Sequence, residues 1–329
     1  MELIMKNIES KLKEKQSTFM VTGCAGFIGS NLVEFLLEKN QFVIGVDDLS
    51  NGLRKNINDF ISNPNFNFVE MNVCDTDKLT EKMSGVDYVL HQAAWGSVPR
   101  SLKMPVFYAE QNILGTVSVF EAARLCGVKK VVYASSSSVY GDEPRLPKRE
   151  GIEGNLLSPY ALSKKIDEYY GEFYSRVYDL PTVGLRYFNV FGRKQNPNSQ
   201  YSAVIPKFIK AILEDEPILV NGDGNQSRDF TYIDNVIEAN LKSCFSGEIS
   251  NGKAYNIAFG GRVSLNELID SLFNTMNKET IVNYGVDREG DIKHSNASIE
   301  NARTDLSYNP LYSFQDGLEL TIKWYIENL

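Results

Sequence analysis

Residues 21–31 read VTGCAGFIGSN. The run TFMVTG (18–23) leads into them with β-branched and aromatic residues, and a helical pattern follows from Phe27 to Lys39. Gly23, Gly26 and Gly29 therefore stand three residues apart in the turn between a strand and a helix. Glycine allows a tight turn and lets backbone N–H groups approach an anion at the positive end of the helix. Asp47 closes the next apolar run, FVIGVDD (42–48), 21 residues after Gly26. A carboxylate at that place accepts from the ribose hydroxyls of an adenosine and repels a 2′-phosphate, which favours NAD over NADP. Glycines also serve close helix–strand packing, and a solvated acid often ends a strand. The complete strand–turn–helix–strand context is what favours a bound dinucleotide.

Outward from this turn the same alternation continues. FNFVE (66–70), VDYVLHQAA (86–94) and KKVVYASSS (129–137) read as buried strands, with a helix from about Val106 to Cys126 before the last of them. A helix opening at Ser158–Pro159 leads to another strand, TVGLRYFN (182–189). Past Asn189 the rhythm loosens into loops with helices between them, one announced by the capping box of Ser264 and Glu267. The expected fold is α/β, a doubly wound (Rossmann) parallel sheet with a smaller α/β C-terminal lobe. Residues 1–17 read as a short flexible or helical extension, 18–188 as the nucleotide-binding domain, and 189–329 mainly as the second lobe, with segments returning to the first. A ligand crevice is expected between them.

Composition narrows the partners. With 34 basic against 42 acidic residues the net charge is −8, which argues against a nucleic-acid or anionic-membrane surface. No apolar run is long enough to cross a bilayer, and the opening residues lack a signal-peptide core, so the cytoplasm is expected. The four cysteines, Cys24, Cys74, Cys126 and Cys244, include no CxxC pair, and the two histidines, His91 and His294, make a metal site improbable; no metal is expected.

Tyr160 and Lys164 stand one helical turn apart in YALSKKIDEYY. The ordinary meaning of such a pair is an interior aromatic beside a solvated lysine. Here the wider pattern decides. The three glycines, HQAA (91–94), SSSSVYGD (135–142) and YALSK (160–164) together resemble the extended short-chain dehydrogenase/reductase family. LRYFNVFG (185–192), VNGDG (220–224), SRDFTYIDNV (227–236) and REGDIKHS (288–295) look like its nucleotide-sugar epimerase branch, most of all the bacterial UDP-N-acetylglucosamine 4-epimerases.

The resemblance implies a mechanism. Tyr160 would be the general base and acid, and Lys164 would bind the nicotinamide ribose and favour the phenolate. Ser136 would bond the reacting sugar hydroxyl, with Ser137 the next candidate. Hydride would leave C4 for a tightly bound NAD and return to the opposite face of a 4-keto sugar. Dehydratases of the family carry an Asp–Glu pair where this chain has Ser137–Ser138, so the resemblance favours epimerisation. A dehydratase or decarboxylating lyase of the same fold, or a non-catalytic NAD-binding protein, are the other readings.

The same resemblance assigns ligand contacts. Toward NAD it places Phe27 and Ile28 beside the glycines, Asp48, Asn51 and Gly52 after Asp47, and Asn72 and Val73 at the adenine. Gln92, Ala93, Ala94, Asn112 and Tyr187, with Tyr160 and Lys164, complete that set. Many relatives have an aspartate where Asn72 stands, and the asparagine carbonyl would have to accept from the adenine amino group without charge. Toward the UDP-sugar it places Arg228, Arg288 and Asn189 at the diphosphate, and Val204, Lys207, Val220 and Tyr232 around the uridine. Gly96, Ser97, Val98, Asp291 and Ser295 would lie at the sugar end. Ser295, where some relatives are bulky, would leave room for an N-acetyl group, with the uronic acid form as the alternative substrate. The helices near 105–126 and 158–178 imply a homodimer through a four-helix bundle, and the family implies a role in surface polysaccharide synthesis.

Overall fold

A computed structural model describes residues 10–198, 203–286 and 293–329. Seven parallel strands form the main sheet: β1 (Thr18–Thr22), β2 (Phe42–Asp47), β3 (Phe66–Glu70), β4 (Tyr88–His91), β5 (Lys130–Ser136), β6 (Thr182–Tyr187) and β7 (Lys253–Ile257). Their order is β7-β6-β5-β4-β1-β2-β3, so the chain reverses direction across the sheet between β1 and β4. Thr22 pairs with His91 at the carboxyl ends of those two strands, and Ser136 with Tyr187 further along the sheet. Ligands of open α/β sheets bind outside the carboxyl ends at such a reversal.

The sequence explains the layers. Strands β1, β4, β5 and β6 are buried on both faces, which their continuous apolar runs require. Helix α1 (Phe27–Glu38) buries Leu32, Val33, Leu36 and Leu37 against the sheet. On the other face lie α2 (Val98–Lys103) and a helical run that passes from Pro105–Tyr108 through a π-helical stretch, Ala109–Leu114, into α3 (Gly115–Cys126). Helix α4 (Pro159–Tyr178) follows, started by Ser158, whose hydroxyl accepts from Ala161 N–H at 3.1 Å with proline next in line.

Beyond residue 189 the short strand Ile218–Asn221 pairs in parallel with Val282–Gly285, and Ser227–Arg228 pairs antiparallel with Val263–Ser264. Leu265–Met276 is opened by the expected capping box, with Ser264 and Glu267 bonded reciprocally. Two segments from this half join the first layer system: β7 lies beside β6, and the helix Ile233–Cys244 packs on α1. At the N-terminal end, Leu12 is buried and its carbonyl accepts from Gln41 Nε2 at 2.9 Å. Among the described residues no helix is long and apolar enough to cross a membrane.

Candidate active site

The phosphate turn is shaped by contact. Gly23 has φ of +68°, and a β-carbon there would lie 2.8 Å from the Ala93 nitrogen. A β-carbon on Gly29 would come within 2.1 Å of the Gly23 carbonyl oxygen, so this glycine lets α1 start directly against β1. Gly26 caps α1 without a side-chain bond, and the first turn carries no acid. Its N–H groups are thus left to an anion.

Above this turn a crevice is lined by Gly23, Gly26, Asp47, Asp48, Asn51, Gly52, Asn72, Val73, Gln92, Ala93 and Ala94, which brings eleven of the expected cofactor residues together. Ser50, Met71, Trp95 and Gln111 line it too and were not anticipated. Phe27 and Ile28 occupy the half-buried first turn of α1 beside it. Asp47 accepts from Ala25 N–H at 2.9 Å and Leu49 N–H at 2.8 Å. Burial pushes its carboxyl up, and these two donors pull it back. Each oxygen keeps a lone pair for a ribose hydroxyl.

Asn72 is more committed than the sequence suggested. Its carbonyl accepts from Cys74 N–H at 2.9 Å, and its amide donates to Asp48 Oδ2 and Gln111 Oε1, both at 3.0 Å. An aspartate here would face Asp48 without those donors, so the uncharged side chain suits its neighbours.

Two other residues expected at the cofactor also bond to the loops and helices around the crevice. Asn112, fully buried, accepts from Trp95 N–H at 2.8 Å and donates to Trp95 O at 3.2 Å and Ser163 Oγ at 3.0 Å, tying the loop after β4 to α4. Tyr187 donates to Gln92 Oε1 at 3.1 Å and accepts from Asn240 Nδ2 at 2.9 Å.

Tyr160 is half-buried in the first turn of α4, its ring edge-on to Tyr108 at 6.4 Å. Gly96 faces it: a β-carbon on Gly96 would sit 3.9 Å from the Tyr160 hydroxyl. Ser97 caps α2 by accepting from Arg100 N–H at 3.2 Å, and Val98, the first residue of that helix, is exposed. Lys164 is not the solvated lysine of the ordinary reading. It is 2 % exposed, and its Nζ donates to the equally buried Asp167 at 3.1 Å.

The serine run divides by environment. Ser135 donates to Glu168 Oε1 at 2.6 Å, inside a buried network in which Arg186 also binds Glu168. Ser136 ends β5, half-buried, and accepts from Ser138 N–H at 3.2 Å, while Ser137 begins the 3-10 turn after it. Ser135 is therefore occupied inside the fold, and Ser136 stands at its edge.

In the second lobe Arg228 and Ser295 meet: Ser295 N–H donates to Ser227 O at 3.0 Å, and Arg228 donates to Ser227 O at 3.0 Å and Lys293 O at 3.3 Å. Asn189 holds φ of +33° where β6 runs into the following segment. Val204 opens the helix Val204–Leu213, on which Lys207 is exposed. Val220 and Tyr232 are only 2 % and 3 % exposed and sit in the core. Arg288 and Asp291 lie outside the described residues. Sequence reasoning missed Asp229, fully buried next to Arg228, which accepts from the N–H groups of Phe259, Gly260 and Ala297 and so ties two distant loops to its own segment.

Residues 19–258 match the model of the NAD dependent epimerase/dehydratase family. The chain belongs to this family. It is an enzyme with NAD as cofactor, and the uncapped α1 terminus, the glycine turn and Asp47 fit that molecule. It is 35% identical over 309 residues to a UDP-glucose 4-epimerase of Mycolicibacterium smegmatis, covering 93% of this chain and 97% of that one. Its fold matches a UDP-N-acetylglucosamine 4-epimerase from Methanobrevibacter ruminantium M1, solved with UDP-N-acetylmuramic acid, with a TM-score of 0.91 and 39% identity over 96% of this chain and all of that one. A UDP-glucuronic acid 4-epimerase from Bacillus cereus, solved with its sugar nucleotide and NAD, matches with a TM-score of 0.86 and 32% identity over 94% and 99% of the two chains.

Proposed function

We propose that this protein inverts C4 of a UDP-sugar, interconverting UDP-N-acetylglucosamine and UDP-N-acetylgalactosamine, with the corresponding uronic acids as the other substrate class. The observation that carries the reading is the open face of Tyr160. Its hydroxyl looks across at Gly96 beside the cofactor crevice, with Lys164 one turn behind. The three relatives described above, each named a 4-epimerase, support the reaction.

Bound NAD supplies a reversible hydride acceptor. The chain's own residues do the rest. Tyr160 takes the proton from the C4 hydroxyl and later returns one, Lys164 favours the phenolate by its charge, and Ser136 bonds the same hydroxyl. Ser137 and Ser138 offer no carboxylic acid for the extra proton transfers of dehydration. That speaks for the epimerase over the dehydratase, although a UDP-N-acetyl-alpha-D-glucosaminuronate decarboxylase of Bacillus cytotoxicus is 31% identical.

For the substrate, Arg228 is the candidate for the diphosphate, and Ser295, its neighbour across Ser227, leaves space for the acetamido group. The methanogen epimerase, itself named for UDP-N-acetylglucosamine, supports the same preference. A single small group is worth about 1–3 kcal/mol of discrimination, so the preference is expected to be graded. Comparing kcat/KM for UDP-N-acetylglucosamine, UDP-glucose and UDP-glucuronic acid tests it: the acetamido sugar should lead by about tenfold or more, and a lead for either other sugar reassigns the substrate.

The assembly we propose is a homodimer through the helices flanking the site. Val106, Leu114, Tyr169 and Phe173 are exposed there by 70 %, 50 %, 60 % and 39 %, an apolar face that a second copy would cover. A cytoplasmic place in polysaccharide synthesis accords with sugar-nucleotide chemistry.

A further inference from the structure

The Lys164–Asp167 pair has no counterpart in the reading of the sequence, and it rests on the enzyme reading above only through the role of Tyr160. Both side chains are sealed from solvent, at 3 % and 1 % exposure, and Nζ lies 3.1 Å from Oδ2. The groups around them offer little other compensation. His91 on β4 is fully buried, and burial, aided by the Lys164 charge, holds it neutral down to about 3. Glu168, next along α4, is neutralised by Arg186. The Thr116 hydroxyl on α3 favours the Asp167 carboxylate but is itself bonded to His91 Nε2 at 3.1 Å. Among the described residues Asp167 is the one carboxylate paired with Lys164.

We propose that Asp167 is a positioning residue that keeps the buried Lys164 charged and aimed, and through Lys164 sets how readily Tyr160 gives up its proton.

Two effects of the carboxylate oppose each other at Tyr160. Its own negative charge resists formation of a phenolate. Its contact keeps the ammonium, which favours one. A fully buried lysine without a partner loses as much as about 3–5 pH units of proton affinity, whereas a like charge beyond the intervening ammonium acts at longer range and more weakly. The second effect therefore wins, and the sign follows: without the carboxylate, Lys164 sheds its proton and Tyr160 holds on to its own. Burial pushes Asp167 itself up to about 7 in spite of the lysine, so the hold on Lys164 loosens as pH falls through neutrality.

The test reads Tyr160 directly. Tyrosinate absorbance is titrated in the NAD-loaded protein and in its Tyr160→Phe counterpart, and the difference gives the Tyr160 midpoint whatever the sugar substrate proves to be. Asp167→Asn is expected to move that midpoint to higher pH by at least about one unit, to shift the acid limb of kcat the same way, and to leave KM largely unchanged. Asp167→Glu, which keeps the charge, is expected to return the midpoint most of the way. Should Asp167→Asn fail to fold, Asp167→Ser, with room for a water, is read in its place. An unmoved midpoint with only a lower melting temperature overturns the proposal and leaves a structural ion pair. A midpoint moved to lower pH also overturns it, by making Asp167 a counter-charge that restrains the lysine. Failure of the epimerase reading is separate, because it would show as lost turnover with a titrating Tyr160 still present.

Discussion

The α-carbon of Gly96 points at the Tyr160 hydroxyl across a gap that a single β-carbon would narrow to 3.9 Å. That gap is where we propose the sugar binds. Alanine fits it at ordinary contact distance, while a branched side chain fills it. Gly96→Leu is expected to lower kcat/KM by about 100-fold or more while NAD stays with the purified protein. Steady-state kinetics together with cofactor content after denaturation check this, and full activity would move the sugar elsewhere.

Tyr160→Phe removes the proton acceptor and nothing else from the packing against Tyr108. Turnover is expected to fall by about 10²–10⁴-fold, the usual span for general acid–base catalysis, with unchanged NAD content and melting temperature. A variant that keeps wild-type kcat removes Tyr160 from the chemistry.

Asn112 holds Trp95 and Ser163 with three bonds from inside the core. Asn112→Ala leaves buried partners unsatisfied, each at about 1–3 kcal/mol. Denaturant unfolding should show that loss, and KM for the sugar nucleotide should rise as the Trp95–Ser97 loop loosens. A variant as stable as the parent would mean that the loop is held by other contacts.

His91, sealed between Thr22 and Thr116, gives the fold an acid sensitivity. Burial lowers its proton affinity from the ordinary 6.5 to about 3. The unfolded chain binds the extra proton first, so this contribution to stability is complete above about 6.5 and is lost as pH falls toward 3, by at most about 1.4 kcal/mol per pH unit. Urea unfolding at pH 7 and pH 5 should show wild type losing up to about 2 kcal/mol from this group, and His91→Gln losing less of its own stability over the same interval. Equal slopes would put the acid sensitivity on other groups.

Exposed Val106 and Tyr169 predict the assembly. Val106→Glu with Tyr169→Glu should turn a dimer in sedimentation velocity into a monomer with intact secondary structure. A parent that sediments as a monomer at micromolar concentration contradicts the proposed interface.

Much of this molecule was legible in its residues. Strands β1 to β6 and helices α1 and α4 follow from apolar periodicity, and Ser158, Ser264 and Glu267 from capping chemistry. The cofactor crevice followed from the glycine turn and Asp47. What escaped notice shares a cause: polar residues buried because other polar groups receive them. Strand β7, KAYNI, carries the buried Asn256, and that side chain is satisfied by Tyr140, Lys148 and Ser298 from distant parts of the chain. Asp229 receives its donors from loops 30 and 68 residues away. Asp167, three residues from Lys164, is in sequence no different from a surface pair. Val220 and Tyr232, read as ligand contacts, are packed into the core.

The proposed C4 inversion relies on an NAD that the enzyme retains. Proton NMR of the purified protein incubated with UDP-N-acetylglucosamine, without added NAD, tests it most directly. UDP-N-acetylgalactosamine is expected to appear. A C4 configuration that stays unchanged with NAD supplied, for this sugar and for UDP-glucose and the uronic acids alike, would contradict it.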